Sequence, residues 1–169
     1  MTIKKFLIIS ASLLLGFWVM AVGRLRVPAP LGYAAPGPQN GEGNVDPVPP
    51  YHPAAPPAKR LPSTLNPMQF PDPITQNAYA MAGKIRAVLY QQPCYCHCDK
   101  EMGHGSLFDC YTGTHAAVCN ICKMEAIYAF NETAKKKSAA QIRDGIIKGE
   151  WKKVDLAKYR EYKPPQGTR

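Results

Sequence analysis

Outside the stretch from Cys94 to Cys122 this 169-residue chain has no cysteine at all, and all six of its thiols fall inside it. That excludes a disulfide framework reaching across the molecule, because any staple or thiolate site is confined to one region. Carboxylates are scarce there too: Asp99, Glu101 and Asp109 stand against a single Lys100. Three scattered acids are too few for the oxygen cage that calcium or magnesium needs. No apolar–polar alternation is long enough to specify a strand, so a sheet has no sequence basis. No serine, cysteine or threonine is set beside a base in a way that supports hydrolysis, and no nucleic-acid-binding motif accompanies the basic residues.

The charge is plentiful but one-sided, with 21 Lys and Arg against 12 Asp and Glu, a net charge of +9. The excess lies beyond the cysteines, in Lys135-Lys136-Lys137, Lys152-Lys153 and the tail. It reads first as solvated surface, with attraction to anionic lipid or a partner as the alternative. The length is that of one domain.

Three zones follow one another. Lys4-Lys5 precedes a predominantly apolar, uncharged run from Phe6 to Val22, closed by Arg24 and Arg26. Residues 1–26 therefore read as a signal or membrane anchor: the order is that of an export signal, and the run just reaches the length that spans a bilayer. Uncleaved anchor and cleaved signal both fit. Either places the rest outside the cytoplasm, attached to the membrane through this helix or released to the periplasm or exterior. Residues 27–71 read as a disordered, proline-rich linker, since fourteen prolines between Pro28 and Pro73 remove amide donors and few large apolar residues accompany them. Extended as polyproline, such a tether reaches on the order of 100 Å. His52 within it reads as a solvated linker residue.

Residues 72–169 form the folded part, which the patterning predicts to be all-α with about four helices. Asp72-Pro73 is a helix start, and Ile74, Ala78, Met81, Ile85 and Val88 form an apolar stripe ending before Pro93. The stretch 93–105 reads as loop and 106–111 as a helical turn. A helix from Thr114 to about Lys137 contains no Gly or Pro. Ser138 with Gln141 makes a capping box for the next helix, which Gly149 closes. Trp151, Val154, Leu156, Tyr159 and Tyr162 are expected to fold back on the helices.

The chemistry is concentrated in Cys94, Cys96, Cys98, His104, Cys110, His115, Cys119 and Cys122. On one continuous helix, His115, Cys119 and Cys122 at i, i+4 and i+7 project from one face. In an extended loop the alternate residues Cys94, Cys96 and Cys98 also point together. His104, between two glycines, and Cys110 lie between these groups. Thiolate and imidazole donors in this number suit one or more soft or borderline ions, copper or zinc. Met102 and Met124 read as packing residues before thioether ligands, and His97 as a loop residue.

Other readings of the same residues stand beside this one. Six cysteines in an exported domain can form a three-disulfide scaffold, an interaction domain or a subunit of an envelope complex. The Cys119-Asn120-Ile121-Cys122 pair can exchange thiol and disulfide as an oxidoreductase, although the βαβ setting of thioredoxins is missing. Covalent haem would need Cys-x-x-Cys-His, and Lys123 follows Cys122 instead. No catalytic residue is assigned.

From Pro93 to Ala126 the chain resembles a bacterial family named for its PCYCGC motif. The matching positions are Pro93-Cys94-Tyr95-Cys96-His97-Cys98, Gly103-His104, Ser106-Leu107 with Cys110, and His115-Ala116-Ala117-Val118-Cys119 with Cys122. His97 departs from the motif, which has glycine there. Many relatives look like lipoproteins, whereas this N-terminus has no cysteine to acylate. The resemblance implies one module in an extracytoplasmic place and supplies no reaction.

Overall fold

The computed structural model describes residues 46–161 and 163, so the expected N-terminal membrane or export segment, the first half of the proline-rich stretch and Tyr162 lie outside the described residues. Among the described residues there are seven α-helices and no strand. These are α1 (Pro73–Lys84), α2 (Arg86–Leu89), α3 (Cys98–Met102), α4 (Asp109–Thr112), α5 (His115–Val118), α6 (Asn120–Ala134) and α7 (Ala139–Ile147). Four short 3₁₀ turns, at Ala58–Arg60, Pro67–Gln69, Glu150–Lys153 and Leu156–Tyr159, complete the set. None of these helices is long and apolar enough to cross a membrane.

Helix α1 starts where local chemistry dictates. Asp72 accepts hydrogen bonds from the Thr75 amide at 3.0 Å and its hydroxyl at 2.7 Å, and Pro73 fills the position that has no amide to lose. Ala78, Tyr79, Met81 and Ala82 turn inward and α1 packs along α6, which contributes Ala126, Ile127 and Ala129. The expected single helix to Gln92 is interrupted at Ile85 (φ −122°, ψ 30°), after which α2 adds Leu89 to the core. The Ser138–Gln141 capping box is fully formed, and Gly149 adopts φ 75° just past α7. Trp151 is buried, while Val154, Leu156 and Tyr159 pack on the core.

Two further features differ from the sequence expectation. The continuous helix from Thr114 breaks at Cys119, whose backbone is extended (φ −110°, ψ 112°), so α5 and α6 are separate. The second half of the proline-rich stretch lies against the helices. Leu61 and Phe70 are buried, Arg86 donates to the Leu61 carbonyl at 2.9 Å, and His52 stacks on Tyr90 with centroids 3.9 Å apart. Isolated apolar side chains among prolines thus contribute to the core that begins, by composition, at residue 72.

Candidate metal centre

The donors come from five short pieces of chain that no regular element would bring together. Cys94 and Cys96 sit in the turn after Pro93, where the backbone reverses at His97 (φ 57°, ψ 32°) and enters α3 with Cys98 in its first position. The stretch expected as an extended loop is therefore a turn followed by a helix, closed by Gly103 at φ 69°. Asp109 then fixes the next loop, its Oδ2 accepting from the amides of Gly105 at 2.8 Å and Ser106 at 3.0 Å. This positions His104 on one side and Cys110, in α4, on the other. The fold adds a second tie, the Leu107 amide donating to the Gln92 carbonyl at 2.9 Å.

The break at Cys119 corrects the expected single-face stripe. Seven residues of straight helix advance about 10.5 Å along the axis. With the chain bent at Cys119, the donor atoms of His115 and Cys122 fall within 4.8 Å of each other and of Cys96 and Cys110. Straightening this segment would pull them apart.

The resulting cluster is tight. Sγ–Sγ separations are 3.3 Å for Cys94–Cys96, 3.5 Å for Cys94–Cys122, 3.5 Å for Cys96–Cys122, 3.3 Å for Cys98–Cys110 and 3.9 Å for Cys94–Cys110. His104 Nδ1 lies 3.2 Å from the Cys98 sulfur and 3.3 Å from that of Cys110, and His115 Nε2 lies 3.4 Å from the Cys96 sulfur. Cys119 sits beside Cys122 and Cys96 at the rim. Of the eight residues expected from the sequence, seven thus meet in one place, with Cys119 next to them at the helix break before α6. All six cysteines are free. A disulfide needs about 2.05 Å between sulfurs, whereas a tetrahedron with ~2.3 Å metal–sulfur bonds has edges of about 3.8 Å. The observed spacings of 3.3–3.9 Å are far from the first figure and lie closer to the second, and two four-donor sets, Cys94/Cys96/Cys98/Cys110 and Cys96/Cys110/His115/Cys122, can each hold a metal ion.

Cys94, Cys98, Cys110 and Cys122 are buried, and Tyr111 beneath them donates its hydroxyl to the Cys122 carbonyl at 2.8 Å. Crowding splits the thiols. Contacts with Cys110 first, then Cys119, Cys122 and Cys94, hold the Cys96 thiol low, and the contact with Cys94 lowers Cys98. Cys122 is pushed up by its contacts with Cys110 and Cys119. At Cys94 the contact with Cys110 pulls downward but is outweighed by Cys122, Cys96, Cys98 and burial. Six sulfurs this close do not all ionise unless a cation joins them.

Sequence reading missed two carboxylates. Glu125 on α6 is fully buried, and burial is the main reason its carboxyl is pushed up to about 8. Its Oε1 accepts from the Tyr95 amide at 2.8 Å and so holds the cysteine turn, while Oε2 has no hydrogen-bond partner. Asp99 carries a buried, unpartnered Oδ1 and lines a small void with Cys94, Cys98, His104, Pro49 and Pro50 that leaves no room for water. An acid on an otherwise apolar helix face, as at Glu125, was the available signal. His97 is turned elsewhere, its Nε2 3.7 Å from Asp46 and its ring against Tyr95.

The opposite face of the centre opens to the surface. A cleft of about 520 Å³ is lined by Met102, His104, Asp109, Thr112, Gly113, Thr114, His115 and Val118. Met102 and Val118 are 52% and 86% exposed, so Met102 is not the core residue its type suggested.

No curated protein and no solved structure matches the chain significantly. One family model does, over residues 54–158, and its span includes both the buried Leu61 and Phe70 and every donor of the cluster. The αL backbone at His97 accounts for the glycine of the family's motif, because glycine adopts that conformation without steric cost. With the motif, its geometry and more than half of the chain matched, the protein belongs to the family described as proteins of unknown function with a PCYCGC motif.

Proposed function

We propose that this chain is an extracytoplasmic metal-binding protein that holds copper or zinc in its Cys/His cluster and hands the ion on. The observation that carries the reading is the convergence of free thiols and two imidazoles, with five of the six sulfurs linked by separations of 3.3–3.9 Å. The two four-donor sets contain only sulfur and nitrogen, which favours Cu(I) and Zn(II) over hard cations. Holding is supported by burial of four thiols, and transfer by the surface cleft that reaches both His104 and His115.

The placement rests on the N-terminal segment, Lys4-Lys5 followed by the apolar run Phe6–Val22. An anchored protein with this segment in the cytoplasmic membrane would carry its cluster in an oxidising space, where six adjacent thiols pair unless an ion occupies them. A metal-filled cluster resolves that conflict.

The test is elemental analysis of the full chain, purified without added metal and after exposure to Cu(I) or Zn(II), beside a Cys96→Ser/Cys122→Ser variant. Stoichiometric copper or zinc in the parent, lost in the variant, is expected. Equal metal content in both would overturn the assignment.

A further inference from the structure

We infer that the centre is binuclear, with two ions sharing the thiolates of Cys96 and Cys110. This rests on the metal-binding reading and extends it to the number of ions and the way they are joined. The two four-donor sets are not separate sites, since Cys96 and Cys110 belong to both. Each set has its own residues beyond those two: Cys94 and Cys98 in one, His115 and Cys122 in the other.

The histidines divide the same way. His104 Nδ1 is held between Cys98 and Cys110, whereas His115 Nε2 approaches Cys96. One imidazole therefore serves each half.

Donor number points in the same direction. A single tetrahedral ion takes four donors. The remaining thiols of this cluster would then lie buried against one another, where a solvating partner is missing. Two ions with two shared sulfurs use Cys94, Cys96, Cys98, Cys110, His115 and Cys122, leaving His104 to complete or exchange at the first half. Cys119, at the rim, is free to do the same at the second. The orphaned Asp99 Oδ1 beside Cys98 and His104 adds a negative group to the first half that a cation there would satisfy.

Native mass spectrometry of the full chain, loaded separately with Zn(II) and with Cu(I), counts the ions, and X-ray absorption at the metal edge reports whether they are bridged. Two ions per chain and a metal–metal scattering path are expected with the preferred metal. Cys98→Ser should reduce the count from two to one, and so should His115→Ala or Cys122→Ser. Cys110→Ser, which removes one of the two bridges, should weaken the metal–metal path. Because Cys110 is buried, circular dichroism of that variant is run alongside, and the partly exposed His115→Ala carries the test if Cys110→Ser does not fold. One ion per chain, or three or more, overturns the inference and leaves the metal-binding reading standing. Two ions without a metal–metal path overturn the shared thiolates. No bound ion of either kind overturns both readings.

Discussion

His97 shows how a single residue carries the geometry of the centre without binding in it. It occupies the left-handed region, and there a side chain costs about 1–2 kcal/mol that glycine avoids. Histidine tolerates this conformation better than most residues, which explains why the motif survives with it. Replacing His97 by Gly is expected to stabilise the fold by about 1 kcal/mol, read as a rise of a few degrees in thermal melting. Metal content should not change, since the imidazole faces Asp46 and Tyr95. Loss of metal in His97→Gly would show that the ring belongs to the centre after all. Glu125 is the second such residue. Its place on an otherwise apolar helix face marks it as unusual, but what makes its burial tolerable, the distant Tyr95 amide that it accepts from, is not visible in the local sequence. The crowding of cysteines and histidines, by contrast, was legible from residue type and spacing alone.

Among the elements, helix starts with a side-chain cap were readable, whereas the uncapped α3 and the helix interruptions were not. Asp72-Pro73 and Ser138–Gln141 announce themselves because capping is local chemistry. The break at Cys119 has no glycine or proline to signal it, and its cause is tertiary: the bend is what lets His115 and Cys122 both reach Cys96. The same limit applies to α7. Gly145 looks like an ordinary weak point in a helix, but a Cβ there would collide with the hydroxyl of Tyr128, which donates to Glu150 at 2.6 Å. Gly145→Ala should therefore destabilise the protein by about 1–3 kcal/mol through overpacking, although alanine is the better helix former. Chemical denaturation measures this directly, and a stabilised variant would contradict the packing described.

On the scale of the whole molecule, the composition-based boundary at residue 72 fell late because prolines dominate the stretch before it. Leu61, Phe70 and the Pro49–Pro50 cover over Cys98 and His104 are single contacts that no window average detects. Stability should respond to metal and to pH through different parts. Binding to the folded state alone adds about 4 kcal/mol when free ion exceeds its dissociation constant a thousandfold, so chelation should lower the melting temperature well beyond any single surface substitution. The acid limb has another source. Lys135, then Lys137, hold the Glu132 carboxyl below its usual value, with ion-pair distances of 2.7 Å and 2.6 Å. A lowered folded value favours the charged form, so this contribution is present above the ordinary glutamate range and fades as pH falls through the folded value. Glu132→Gln should thus melt earlier than the parent at pH 7, and the two curves should converge below about pH 4.

The central claim is that six thiols are kept together, unpaired, by metal. It is met most directly by counting thiols on the full chain, purified without reductant and denatured, before and after adding a chelator. The account predicts that the six cysteines become titratable only once the chelator has removed stoichiometric copper or zinc. If no thiol appears in the presence of chelator and denaturant, and reductant alone releases them, the cysteines are disulfide staples and the metal centre is contradicted.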